Sequence, residues 1–174
     1  SREETVRERL REVAERLKKS NREIEELLKK AAEELKESNT RDKKLSEDVS
    51  RRLEKLSRDG VDKDDVRREI ERIKRKNDDT ERRNKELLDK IREDMERMAR
   101  RNKELLRRIE EEIRKMDASE EVEERLKRVI EESERRLDKW RRDLDRVIKE
   151  SEDLLKKSRE DSERVVREVE KKEK

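Results

Sequence analysis

The sequence has no cysteine, histidine, proline, tyrosine or phenylalanine, and only one glycine and one tryptophan. Without cysteine there is no disulfide, no thiolate nucleophile and no cysteine-based zinc site. Without histidine the usual general acid or base near neutral pH is missing. Without proline no ring clash or lost N–H interrupts a helix. One aromatic residue cannot make a platform on which bases stack. No apolar run approaches a membrane span, and no signal or transit segment opens the chain. The expectation is a soluble protein whose compartment is not written in its residues. A surplus of one charge is lacking too: 56 Lys+Arg against 53 Asp+Glu leave a net charge of +3.

What is present is charge of both signs. Charged residues make up 63% and apolar ones 26%, whereas soluble domains are roughly a quarter charged and nearly half apolar. So few apolar residues cannot fill a compact sphere of this length. They suit a thin bundle in which each helix buries about two residues in seven. Disorder and a lone charged helix share this composition. Regular apolar spacing and two loop signals argue against both, and Glu, Lys and Arg are strong helix formers.

The first loop signal is Ser57-Arg58-Asp59-Gly60-Val61-Asp62. There Gly60 can take the left-handed conformation that ends a helix, and Asp62 can cap the next one. The second is Met116-Asp117-Ala118-Ser119-Glu120, with Asp117 or Ser119 as the cap and Glu120 and Glu121 in the first turn. Ser1 with Glu4 matches a capping box. These signals predict helices over roughly 2–59, 62–116 and 119–174, all in one domain spanning 1–174. Each would be about 80–88 Å long at 1.5 Å per residue. One stretch could break the pattern. Lys36 to Ser50 holds only Leu45 and Val49 as apolar residues, and a break near Ser38-Asn39-Thr40 would give four helices.

Inward positions follow from the apolar spacing. The first helix offers Val6, Leu10, Val13, Leu17, Ser20, Ile24, Leu27/Leu28, Ala31, Leu35, Ser38/Asn39, Asp42, Leu45, Val49, Leu53 and Leu56. The second runs from Val66, Ile70 and Ile73 through Asn77, Thr80 and Asn84 to Asn102, Leu105, Ile109 and Ile113. The third runs from Val122 and Leu126 through Ser133, Trp140, Ser151, Ser158 and Ser162 to Val165 and Val169. The mean step is about 3.6 residues, which implies weak left-handed or near-absent supercoiling.

Short loops impose an up-down-up antiparallel path. Residue i of the first helix then lies level with about 122 − i on the second, and residue j of the second with about 238 − j on the third. The polar core positions, which played no part in setting these heights, fall into two groups. Ser20, Asn21, Asn102 and Ser133 share one height. Ser38, Asn39, Asp42, Ser46, Asn77, Thr80, Asn84, Ser158 and Ser162 share another. An unpaired buried amide or hydroxyl costs about 1–3 kcal/mol, so such groups must meet one another. Two hydrogen-bonded polar layers are expected, setting register rather than strength.

With these features the chain resembles computationally designed helical bundles carrying modular buried hydrogen-bond networks. The likeness rests on Glu/Lys/Arg-saturated surfaces, long idealised helices, minimal loops such as Asp59-Gly60-Val61-Asp62, clustered core Asn/Ser/Thr, and a lone Trp140. It implies a scaffold, binding module or switch component.

No catalytic constellation emerges. The carboxylates have Lys or Arg three or four residues away, as on solvated helix faces, and the run Glu110-Glu111-Glu112 fans around a helix. Asp59-Gly60-Val61-Asp62 places its glycine too early for a calcium loop. Around Arg100-Arg101-Asn102-Lys103 the bases alternate with acids, unlike a nucleic-acid stripe. Met95, Met98 and Trp140 fall at one height and read as core. The expectation is therefore a structural scaffold without catalytic, cofactor or metal residues. It needs no partner and binds neither nucleic acid nor membrane. The alternatives are a helix-exchange module that accepts a partner helix, with the Ser-punctuated third helix displaced, and a helix-swapped homo-oligomer.

Overall fold

The structure, a computed structural model, describes residues 2–59 and 63–172. It is all-α, with three long helices: α1 (Arg2–Arg58), α2 (Lys63–Lys115) and α3 (Glu120–Lys172). The expected turn residues Gly60, Val61 and Asp62, and the Ser1 capping box, lie outside the described residues. Every helix complements its macrodipole. Glu3 and Glu4 open α1, Asp64 and Asp65 open α2, and Glu120, Glu121 and Glu123 open α3. Lys or Arg stands in each last turn, opposite the negative end of the dipole.

The second connection shows how its residues work. The Met116 N–H is shared between the Glu112 and Ile113 carbonyls, both at 3.2 Å, and the Asp117 N–H reaches Arg114 O at 3.4 Å. Asp117 has φ of 51°, the left-handed region that Asp and Asn tolerate best among residues with a Cβ. It therefore closes α2. The cap of α3 belongs to Ser119, whose Oγ accepts the Val122 N–H at 3.4 Å. The two candidates for one cap thus divide the work between two helix ends.

Helix α1 runs unbroken through residues 38–46, so the four-helix alternative does not hold. Ser and Asn weaken helices chiefly by bonding their own backbone. Here Ser38, Asn39 and Asp42 bond side chains on other helices instead. Thr40 turns outward and its hydroxyl bonds the Lys36 carbonyl one turn back, at 2.8 Å.

The chain divides into two compact units, Ser1–Lys30 with Lys90–Asp145 and Ala31–Asp89 with Arg146–Lys174. In the first, Val6, Leu10, Val13 and Leu17 of α1 pack with Leu106, Ile109 and Ile113 of α2 and Val122 and Leu126 of α3. Arg9 forks onto Glu112 at 2.7–3.1 Å, Arg7 meets Glu121 at 3.2 Å, and Arg141 grips Glu96 with two bonds of 3.0 Å. In the second unit Leu53, Val66, Ile70 and Val169 form an apolar cluster, and Arg159 bridges to Asp78 and Glu81. These pairs stand at the heights that the loops dictate.

Two inward positions differ from expectation. Leu45 is 42% exposed, and Ser46 is buried in its place. The bonds of Asp42 to Thr80 and Ser158 fix the rotation of α1 here. The next inward positions are then four and seven residues on, Ser46 and Val49, because those spacings share a face. On α2, Leu106 is fully in the core while Leu105 packs at its margin.

Candidate functional site

The polar layer of the second unit is where the three helices communicate through side chains. Asn84 of α2 sits at its centre. Its Oδ1 accepts the Ser38 hydroxyl at 2.9 Å, and its Nδ2 donates to Asn39 Oδ1 at 2.9 Å. Asn39 in turn donates from Nδ2 to Ser151 Oγ of α3 at 3.3 Å. Ser38 and Asn39 are neighbours on α1, so one asparagine on α2 engages both and the chain of bonds ends on α3.

A second set of bonds is centred on Asp42. Its Oδ1 accepts the Thr80 hydroxyl at 2.8 Å and its Oδ2 the Ser158 hydroxyl at 3.3 Å. Again each helix supplies one group. The pairs Ser38–Asn84, Asp42–Thr80 and Asp42–Ser158 fall on the heights computed from the loops alone.

Three expected members of this layer are placed differently. Ser162 is buried, but its hydroxyl bonds the Ser158 carbonyl of its own helix at 3.0 Å. Asn77 is buried with its Oδ1 unpartnered. It lies nearly one turn beyond Thr80, where the hydroxyls and the carboxylate are already committed to each other. Ser46 is buried and makes no side-chain bond among the described residues. Conversely, Ser151 was legible as an inward position but not as the end of a bonded chain.

The first unit does not repeat the pattern. Asn21 and Asn102 are buried, and Ser20 and Ser133 half-buried, but no direct side-chain bond joins the four among the described residues. None of them has a sealed, unpartnered polar atom either. Ser20 and Asn102 line one surface groove of about 650 Å³ with Met98 and Leu105. Their polar atoms keep access to solvent, which removes the need to pair. Of the expected small network, Ser20 and Asn102 are thus groove-lining groups, and the four do not form a closed layer among the described residues.

Ionisation follows the surface arginines. Glu96 is held below the usual carboxylate range, first by its hydrogen bond from Arg141, and Glu112 likewise by Arg9. Glu104 and Glu132 are lowered by arginines on their own helix, Arg107 and Arg136. Arg9, Arg107 and Arg141 are raised in return. A carboxyl acting as general acid near neutrality needs displacement in the opposite direction, by burial. Among the described residues no group of three or more His, Cys, Asp or Glu could hold a metal ion. No described helix is long and apolar enough to cross a membrane.

No protein-family model matches the chain, and no curated protein matches it. Among solved structures it is similar to a computationally designed three-helix bundle, with a TM-score of 0.60 and 20% identity. The match covers 98% of this chain and 77% of the other. At that identity the likeness is one of fold, and the fold is a three-helix bundle whose helices carry buried polar side chains.

Proposed function

We propose that this chain is a designed structural scaffold with no biochemical activity, whose self-packing is specified by its buried polar layer. The observation that supports this most directly is the Asn84–Asn39–Ser151 chain. A seam of leucines could slide by one helical step with little loss. A slide of one step here would strand Asn84, Asn39 and the Asp42 carboxylate without partners, at about 1–3 kcal/mol for each neutral group and more for the charge. Register is thus a chemical property of these few side chains. The charged exterior, with both signs interspersed, gives nucleic acid no stripe of one sign to follow and a membrane no apolar face.

The test is mass in solution. Light scattering at several concentrations should give 21.5 kDa throughout, the mass of one chain. A mass that doubles or triples would replace the scaffold reading with a helix-swapped assembly.

One observation favours helix exchange as a second reading. In the bonded layer α3 contributes only serine hydroxyls, Ser151 and Ser158, while α1 and α2 share the amides. The grip on α3 is therefore the weaker one. A labelled peptide copying residues 119–174 would replace α3 on prolonged mixing if this reading holds, and no uptake would remove it.

A further inference from the structure

The groove of about 650 Å³ in the first unit runs between α1 and α2. Its floor holds Met98 and Leu105, both half-buried. Asn102 stands between them along α2, and Ser20 of α1 is level with it. Neither Ser20 nor Asn102 makes a side-chain hydrogen bond among the described residues.

The walls are basic. Arg16 and Lys19 come from α1, and Arg97, Arg100, Arg101 and Arg108 from α2. The lining carboxylates are Glu23 and Glu104. Six cations and two carboxylates leave a local surplus of four positive charges, more than the +3 of the whole chain. Along the sequence the two signs alternate around these residues, and the antiparallel pairing of α1 with α2 is what gathers the basic ones. The chain's own acids neutralise only some of them. Arg97 meets Asp94 at 3.4 Å, and Arg108 shares Glu104 with Arg107. Arg100 acts on Glu96 only beyond ion-pair distance. Arg16, Lys19, Arg100 and Arg101 thus have no ion pair among the described residues, and the one lining carboxylate in the same condition is Glu23.

We propose that this groove docks an acidic amphipathic helix of a partner protein, its apolar side chains on Met98 and Leu105 and its carboxylates on Arg16, Lys19, Arg100 and Arg101. The walls select the sign of the partner's charge, and guanidinium groups take carboxylates with two parallel bonds. The floor selects the partner's form. Met98 and Leu105 are separated by one heptad, so a helix laid along the groove meets them with apolar residues at the same interval. Between them Ser20 and Asn102 face a small polar side chain of the partner. The stretch from Arg97 to Arg108 spans about 16 Å at 1.5 Å per residue, which matches about three turns of a docked helix. A nucleic acid has phosphates for the walls but no use for an apolar floor, and its bases find no aromatic side chain in the lining.

The probe is a fluorescein-labelled, amidated peptide of about four helical turns. It carries two leucines one heptad apart, a serine between them, glutamates on both flanks and alanines outward. Its binding to the full chain is read by fluorescence anisotropy, and saturable binding that weakens as salt rises is expected. Glutamine in place of the glutamates, or serine in place of both leucines, should lower the affinity at least about tenfold. Arg100→Glu with Arg101→Glu, at two exposed positions, should do the same. Arg67→Glu with Arg68→Glu makes an equal change of net charge in the other unit and should leave the affinity within about twofold. The chain has three methionines, and isotope-labelled methyl groups on them locate the peptide whether or not the variants fold. The Met98 signal should move in NMR and the Met116 signal should not. Absence of saturation, equal affinity of the glutamine or serine peptide, equal loss in both arginine pairs, or an unmoved Met98 signal would each overturn the proposal. Displacement by a short single-stranded oligonucleotide as readily as by unlabelled peptide would overturn it too, in favour of phosphate. Loss of this site leaves the scaffold reading untouched, since that reading rests on mass and on the Asn84 bonds.

Discussion

Two asparagines on α2 show how context decides the worth of a buried amide. Asn84 is used on both its oxygen and its nitrogen, so Asn84→Ala strands Ser38 and Asn39 together. A loss of about 1–3 kcal/mol is expected in urea unfolding. Replacing Asn84, Asn39 and Ser38 jointly by apolar residues should recover that loss or exceed it, because well-packed apolar groups commonly match a buried polar set. A joint variant less stable than Asn84→Ala would contradict the network account. Asn77 is the converse case: its oxygen is sealed and unpartnered. Asn77→Leu should therefore stabilise the chain by about 1–3 kcal/mol, and a destabilisation would show that the oxygen has a bound water or partner. The ion pairs are weaker matters. Glu96 has a lowered pKa in the folded chain, so its pair with Arg141 contributes fully above the ordinary value of 4.5 and fades as pH falls through the lowered one. Both side chains are partly exposed, which screens the pair. Glu96→Gln should cost no more than about 1 kcal/mol at neutral pH. The difference from the parent should vanish in acid and shrink in high salt. A difference that survived strong acid would mean that packing, not charge, is what Glu96 supplies.

At the scale of the helix, the termini and the inward stripe were largely legible in the sequence. Loop signals placed the three helices, and the antiparallel heights that followed brought Ser38 level with Asn84 and Asp42 level with both Thr80 and Ser158. What was not legible was rotation about the helix axis. Spacing alone could not choose between Leu45 and Ser46, because both continue a 3.6-residue stripe: Leu45 belonged to the expected inward stripe and Ser46 to the expected polar layer, and only Ser46 is buried. Nor could it tell which polar groups at one height would bond: Asn77 and Asn84 have the same chemistry, but only Asn84 faces an amide. The layer of Ser20, Asn21, Asn102 and Ser133 was legible in height, but the access of Ser20 and Asn102 to solvent was not, being a property of the surface groove rather than of the residues. The cap at the α2–α3 connection was open between two candidates because an aspartate can either cap a helix start or close a helix end. Asp117 does the latter with a positive φ. Asp117→Gly removes the Cβ that resists this conformation. The variant should be more stable by about 0.5–1 kcal/mol, read from its thermal midpoint, because the relieved strain outweighs the greater freedom of glycine in the unfolded chain. A lower midpoint would mean that the carboxylate makes a compensating contact.

At the scale of the whole molecule, the question is whether two compact units make one cooperative domain. Each helix continues from one unit into the other. Melting the unit of Ala31–Asp89 with Arg146–Lys174 alone would create new ends near Lys30 on α1 and Asp145 on α3. A helix end leaves up to four backbone carbonyls without partners, and neither glycine nor asparagine stands there to close it. No loop or change of composition marks either boundary. Partial unfolding is thus opposed by the backbone as well as by lost packing, and a single transition is expected. Trp140 belongs to the other unit and is buried, so its fluorescence follows that unit by itself, whereas far-ultraviolet circular dichroism follows all three helices. The two should share one midpoint in urea, the usual sign of all-or-none unfolding. The unit with the bonded polar layer also has the smaller share of large apolar side chains between Lys36 and Ser50, and any uncoupling should begin there. Loss of circular dichroism ahead of Trp140 fluorescence would then show that the polar-layer unit folds and unfolds on its own. In that case the layer specifies the register of half the bundle, and the capping argument at Lys30 and Asp145 fails.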